Sequence, residues 1–299
     1  MTTLSTQVMA AGMQVTLAGA DNLGGFGISL TEYRLDGDPW TPYTGPFTVD
    51  GGVHQLEYRS TDAAGRDTSP QGVVPNNREM SNTALIGAMT LGCDRTITGI
   101  NNGPLIVTGQ LCVLGGTING PVIVKSGASM AVIGGTVNGP VAATDASKIL
   151  MCGTKVVGPV SIRGVTGPVM LGRATDPGCA ANSVRGPVLI SGTHEAVTVG
   201  ATEVRGPLTL SGNTGGVAVT NSRVTGPVSV TGNSGGVLLA NNHVTGPVTI
   251  ASNTGTFTTV AGNAIRGPLS CSGNTPAPDD AGAANTVSGP TTGQCRALG

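Results

Sequence analysis

The chain has 299 residues with a formal net charge of −1, 10% charged and 38% hydrophobic residues, and 49 glycines. Fifteen basic residues without a cluster exclude a nucleic-acid or anionic-lipid binder of the usual basic kind, and no apolar run reaches the length of a membrane span. Near-neutral charge and regularly placed apolar residues argue against disorder, so the chain reads as ordered, glycine-rich and rich in turns.

Six of the seven aromatic residues (Phe26, Tyr33, Trp40, Tyr43, Phe47 and Tyr58) lie in the first sixty positions. The two parts of the chain must therefore have different cores. Over residues 14–69, "QVTLAGAD", "TEYRLDG", "PFTVDG" and "HQLEYRSTD" alternate apolar and polar side chains between turn residues, the pattern of an all-β sandwich. The elements "TEYRLDG" with Trp40, "YTGPFTV" and "LEYRSTDAAG" resemble the Ig-like modules of secreted, often carbohydrate-active, proteins of high-GC Gram-positive bacteria. That resemblance covers residues 15–68 and implies an Ig-like fold and export. Residues 1–13 give no convincing first strand, so a truncated sandwich is expected there, at the start of a fragment of a longer protein. No Lys or Arg precedes Arg34 and no continuous apolar core marks a signal peptide. Trp40 and Tyr43 offer faces for a sugar ring, against the plainer expectation that they pack the core. Asp21, Asp36, Asp38, Asp62 and Asp67 sit in turns that need no bound calcium.

The polar, proline-bearing stretch around "TSPQGVVPNNREMSN" sets a linker over 70–84, between a module at 1–69 and a repeat domain at 85–299. Beyond it Gly-Pro recurs at Gly103, Gly120, Gly139, Gly158, Gly167, Gly186, Gly206, Gly226, Gly246, Gly267 and Gly289, settling to gaps of 19 to 22 residues. A fixed period near twenty marks a solenoid. Within a period two short alternating segments appear, such as Val228/Val230 and Val237/Leu239. Neither buries its apolar face until parallel copies stack about 4.8 Å apart. Gly and Pro recur too often for a helix. The sequence therefore predicts a parallel β-helix of roughly ten coils, about 50 Å long at that spacing, with the right-handed form favoured. Asn213, Asn233, Asn253 and Asn274 share one register and are expected to form a hydrogen-bonded ladder.

Six cysteines without a CxxC pair exclude the common zinc spacings. Residues about one coil apart stack within disulfide reach, which predicts Cys93–Cys112, Cys152–Cys179 and Cys271–Cys295 in an oxidising compartment. The last thirty residues, "GPLSCSGNTPAPDDAGAANTVSGPTTGQC" onward, are similar to the C-terminal ends of secreted proteins of the same bacterial group, where they follow catalytic or ThuA-type domains. That resemblance implies export and an ancillary role.

For chemistry, a β-helix enzyme needs two or three carboxylates on neighbouring coils. Of the coil acids, Glu203 alone occupies a regular late-repeat position, with Arg223 and His243 following at intervals of twenty. The column reads as a solvated ladder in which Glu203 pairs with Arg223. Arg185 and Arg205 form a second short ladder facing a possible acidic glycan, and Thr209, Ser229 and Thr249 a hydroxyl column one residue wide, too narrow to order water. The sequence predicts no catalytic residue, metal or cofactor and no enzyme. It predicts a monomeric, secreted, non-catalytic accessory region, a spacer or a surface for polysaccharide or cell-wall glycan. The alternative is a β-helix carbohydrate-active enzyme whose acids lie in the insertion "GRATDPGCAANS", at Asp176.

Overall fold

A computed structural model describes residues 2–9, 12–20, 27–35, 38–49, 52–62, 82–88, 93–173, 179 and 182–299. The chain divides into two compact units, Met1–Thr90 and Leu91–Gly299. The expected linker falls outside the described residues except for its last three positions, which open a strand.

Among the described residues, the strand pairs of the first unit are all antiparallel. Strands β1 (Thr2–Met9), β2 (Gly12–Gly19) and β5 (Phe47–Val49) form one sheet; β4 (Thr41–Pro42), β3 (Ile28–Leu35), β6 (Gly52–Asp62) and β7 (Asn82–Ala88) form another. The segments read as strands are β2, β3, β5 and β6. The expectation that residues 1–13 lack a strand is corrected: Thr2–Met9 pairs along its whole length with Gly12–Gly19. Its Thr, Val and Leu content suits a pleated surface even with little alternation. Val15, Leu17, Val49 and Leu56 are buried at the centre, with Tyr33, Tyr43, Phe47 and Tyr58 packed around them.

The second unit is a parallel β-solenoid of about ten turns. Each coil supplies three strands rather than the two expected. Sheet A stacks ten strands from Leu105–Val107 to Thr291–Gly293, and sheet B nine from Arg95–Ile97 to Thr258–Ala261. Sheet C stacks ten from Ile100–Asn102 to Thr286–Val287. Strands of sheet C are only two or three residues long, for example Arg223–Val224. Each turns one residue inward (Val204, Val224, Val244), too few to register as alternation. Parallel pairing is in register throughout: Leu208 aligns with Val228 and Val228 with Val248. One continuous apolar core, chiefly Val, Ile and Leu, runs from Ile97 to Leu298.

The corners explain the glycines and asparagines. Between sheets A and B, Gly212 and Gly232 take φ of 62° and 64°, and each is followed by a buried ladder asparagine. Asn233 Nδ2 donates to Asn253 Oδ1 at 2.9 Å and to the Leu210 carbonyl at 3.1 Å, while its Oδ1 accepts from the Asn213 backbone N–H. The expected ladder thus forms, and Gln294 closes it beyond Asn274. A second ladder, between sheets B and C, was not foreseen: Ser222, Asn242, Asn263 and Asn285 repeat the same bonds. Left-handed residues again precede its members, the non-glycines Asn221 and Asn241 before Ser222 and Asn242 and Gly262 before Asn263, with Ala201 before Thr202, whose N–H donates to Ser222 Oγ.

Before each sheet A strand, Gly stacks on Gly. A Cβ built at Gly226 would stand 2.6 Å from the Gly206 carbonyl carbon, and one at Gly246 would stand 2.6 Å from that of Gly226. Only glycine lets the backbones approach so closely. The following proline lacks an N–H, but its carbonyl accepts from the preceding coil, as in Leu208 N–H to Pro227 O at 3.0 Å.

All three predicted disulfides form, Cys93–Cys112, Cys152–Cys179 and Cys271–Cys295. Cys271 and Cys295 belong to the core. Cys112 and Cys152 stand instead among the outward positions of sheet B, where Ala131, Leu150 and Met170 are also buried. Cys179, bonded to Cys152, covers part of that face, its Sγ 4.0 Å from Met170 Sδ.

Candidate functional site

Trp40 and Tyr43 separate. Tyr43 packs with Phe47 and Tyr33 (ring centroids 6.3 and 6.5 Å) against the first unit's core. Trp40 is half-buried, with the guanidinium groups of Arg59 and Arg34 over its ring at 3.7 and 4.9 Å. Those arginines are fixed by cross-strand carboxylates, Arg59 by Glu32 at 3.1 Å and Arg34 by Glu57 at 2.7 Å. The ring therefore serves as a cation–π platform for the sheet's own charges. Of the turn aspartates, Asp38 is exposed and the side chains of the other four lie outside the described residues. No group of three or more metal-ligating side chains occurs among the described residues.

On the solenoid, sheet C brings together what looked like separate ladders. Each short strand turns one side chain outward before its buried valine and a second just after it. The first column contains Lys155, Ser183, Glu203, Arg223 and His243 in register, and Ala264 continues it. The second contains Arg185, Arg205, Thr225, Thr245 and Arg266, aligned by the backbone bonds Arg205 N–H to Val184 O and Arg266 N–H to Val244 O. Glu203 and Arg205, and Arg223 and Thr225, are thus neighbours two residues apart on one face.

The expected Glu203–Arg223 pair is not formed. Arg205 Nε donates to Glu203 Oε1 at 3.0 Å and its Nη2 to Oε2 at 3.4 Å. The planar fork of an arginine just past the end of the same strand engages both carboxylate oxygens, leaving the arginine one coil away unused. Ser183 reaches Glu203 only at 3.5 Å. Beside this pair runs an open groove of about 580 Å³, lined by Ser183, Glu203 and Arg223 with Asn182, Thr202 and Asn221. A second depression, of about 230 Å³, lies at the first coil between Asp94, Arg95, Ile106 and Leu111. Asp176 lies outside the described residues.

Sheet A's outer face differs. Thr209, Ser229 and Thr249 form the expected column, but Ser211 and Thr231 align beside it, so the hydroxyl face is two residues wide. Sequence inspection missed the second column because it falls at each strand's end, where polar residues read as turn.

No protein-family profile matches the chain, and no curated protein matches it. Among solved structures it is similar to a pectate lyase of Pectobacterium carotovorum, at 9% identity over 90% of this chain and 85% of that one, with a TM-score of 0.19. It is also similar to a pectate lyase of Erwinia chrysanthemi solved with tetragalacturonic acid, at 11% identity over 89% and 84% of the two chains, with a TM-score of 0.17. The expectation that the chain is not an enzyme is corrected on this finding, because the proteins matched are enzymes. The likeness transfers no catalytic residue to this chain. Three disulfides fit an extracellular protein, and no helix among the described residues is long and apolar enough to cross a membrane.

Proposed function

We propose that the chain is the polysaccharide-recognising region of a secreted protein, an Ig-like module joined to a disulfide-stapled solenoid that lays the outer face of sheet C along a glycan as a monomer. The observation that carries this reading is the groove over Ser183, Glu203 and Arg223. It is open to solvent and lined by hydroxyl, amide and charged groups held on in-register strands. Such groups hydrogen-bond sugar hydroxyls, and a solenoid extends the contact across successive coils. The disulfides support export to an oxidising compartment.

A second reading, a carbohydrate-active enzyme of the β-helix kind, is favoured by one feature of the same groove. A carboxylate and a guanidinium, Glu203 and Arg223, stand on adjoining coils where a bound chain would pass, the types of group that acid–base chemistry on a sugar uses. Affinity electrophoresis against a polysaccharide panel, with analysis of chain length after incubation, tests both. Retarded migration supports recognition. Shortened chains that disappear with Glu203→Gln support the enzyme. No retardation by any polysaccharide overturns the proposal.

A further inference from the structure

The outer face of sheet C carries an excess of positive charge that is invisible in the chain's net charge of −1. Across the six coils from Lys155 to Arg266, the two outward columns contain five permanent cations: Lys155, Arg185, Arg205, Arg223 and Arg266. Glu203 is the only carboxylate in those columns, and Arg205 neutralises it. Among the described residues, the other four cations have no carboxylate partner. All five are exposed. Strands about 4.8 Å apart place Arg185 one coil before Arg205 and Arg223 one coil after it. The result is a band of positive charge along the solenoid axis.

We infer that the ligand of this face is an anionic polysaccharide carrying carboxylates, a uronate-containing glycan. The inference rests on the polysaccharide reading above and names its substrate class. Arginine forks match carboxylates in a bidentate manner, and a linear polyanion meets the band in one direction, along the coils. The residues between the cations, Ser183, Thr225, Thr245 and His243, supply donors and acceptors for sugar hydroxyls. The band has no Phe, Tyr or Trp on which successive bases would stack, only the single imidazole of His243, which favours a glycan over a nucleic acid.

The test uses the whole chain and three polymers: alginate, the same polymer with its carboxyls esterified, and double-stranded DNA. Binding is measured by affinity electrophoresis and calorimetry at low and moderate salt. The expected result is binding to alginate that weakens at least tenfold on esterification and weakens again with added salt. The double variant Arg185→Glu/Arg223→Glu is expected to lose at least tenfold in affinity. Ser229→Ala/Thr231→Ala, on sheet A, is expected to bind as the parent does. If the double variant fails to fold, Arg223→Gln and the salt dependence of the parent carry the same decision. Equal binding of esterified and free alginate, or DNA bound as tightly as alginate, overturns the assignment. Tight binding of a neutral glucan with no response to alginate overturns it too, while polysaccharide recognition survives. Binding of no polysaccharide refutes the function itself.

Discussion

Three glycines of neighbouring coils should respond to alanine in three different ways. At Gly226 a Cβ would meet the Gly206 carbonyl carbon at 2.6 Å, its oxygen at 2.7 Å and the Pro207 nitrogen at 2.8 Å. All three are backbone atoms of a coil locked by parallel ladders on both sides, so none can swing away as a side-chain tip would. Overpacking a well-filled site costs about 1–3 kcal/mol where neighbours adjust. Here adjustment means separating two coils, so a loss of about 3 kcal/mol or more is expected. At Gly212 the space is open, but φ is 62°; Gly212→Ala should cost about 1 kcal/mol from the left-handed backbone alone. At Gly216 the nearest atom would be 3.7 Å away and φ is not left-handed. Gly216→Ala should therefore be neutral, or stabilising by up to about 1 kcal/mol through the unfolded chain. Denaturant titration followed by far-ultraviolet circular dichroism gives the order. A Gly226→Ala midpoint equal to that of Gly216→Ala would refute stacking of glycine on glycine as the reason for the Gly-Pro repeat.

Other features give further expectations. Ala201 holds φ of 46° at a corner where glycine serves in other coils, so Ala201→Gly should raise stability by about 1 kcal/mol, read from the same titration. Asn233→Ala removes the partner of the Asn213 N–H and of the Leu210 carbonyl; at about 1–3 kcal/mol for each buried group left unsatisfied, it should lower stability far more than Asn221→Ala at an exposed position, and equal midpoints would count against the ladder. The Cys271–Cys295 bridge closes a 24-residue separation inside the core. Its replacement by two alanines should cost about 3 kcal/mol and expose the last coil to proteolysis before the rest, detectable by mass spectrometry of early fragments.

What the repeat spells out by identity was legible in the sequence. The twenty-residue period, the stacking of Val228 on Val248, the ladder from Asn213 to Asn274 and the three cysteine pairs all follow from like residues recurring one coil apart. What the repeat spells by equivalence was hidden. The second ladder starts from Ser222 in place of asparagine, and its corners use Ala201 and Asn221 in place of glycine, so only its later members, Asn242, Asn263 and Asn285, mark the register by letter. The third strand buries a single valine per coil and offers no alternation. Because that strand went unseen, Glu203/Arg223/His243 and Arg185/Arg205 read as two unrelated ladders rather than one face. The pairing of Glu203 was misjudged for the same reason: Arg205 is a neighbour only once positions 203 and 205 share a strand face.

The three sheets divide the outer surface by chemistry, and that division narrows where recognition can occur. From Leu208 onward, sheet A turns out hydroxyls with no charge among the aligned positions Thr209, Ser211, Ser229 and Thr231. The early part of sheet B is sealed, with Cys112, Ala131, Leu150 and Met170 buried on its outer face and Cys179 pinned across it. Sheet C combines exposure, charge and a groove across several coils. Its strands are the shortest, so most of each coil's inward packing is done by sheets A and B, and positions 203, 205, 223 and 225 vary with little effect on the core. A regular scaffold keeps those variable positions about 4.8 Å apart whatever they carry. Lys155, Arg185, Arg223 and Arg266 therefore form an ordered band without any residue dedicated to holding them in place.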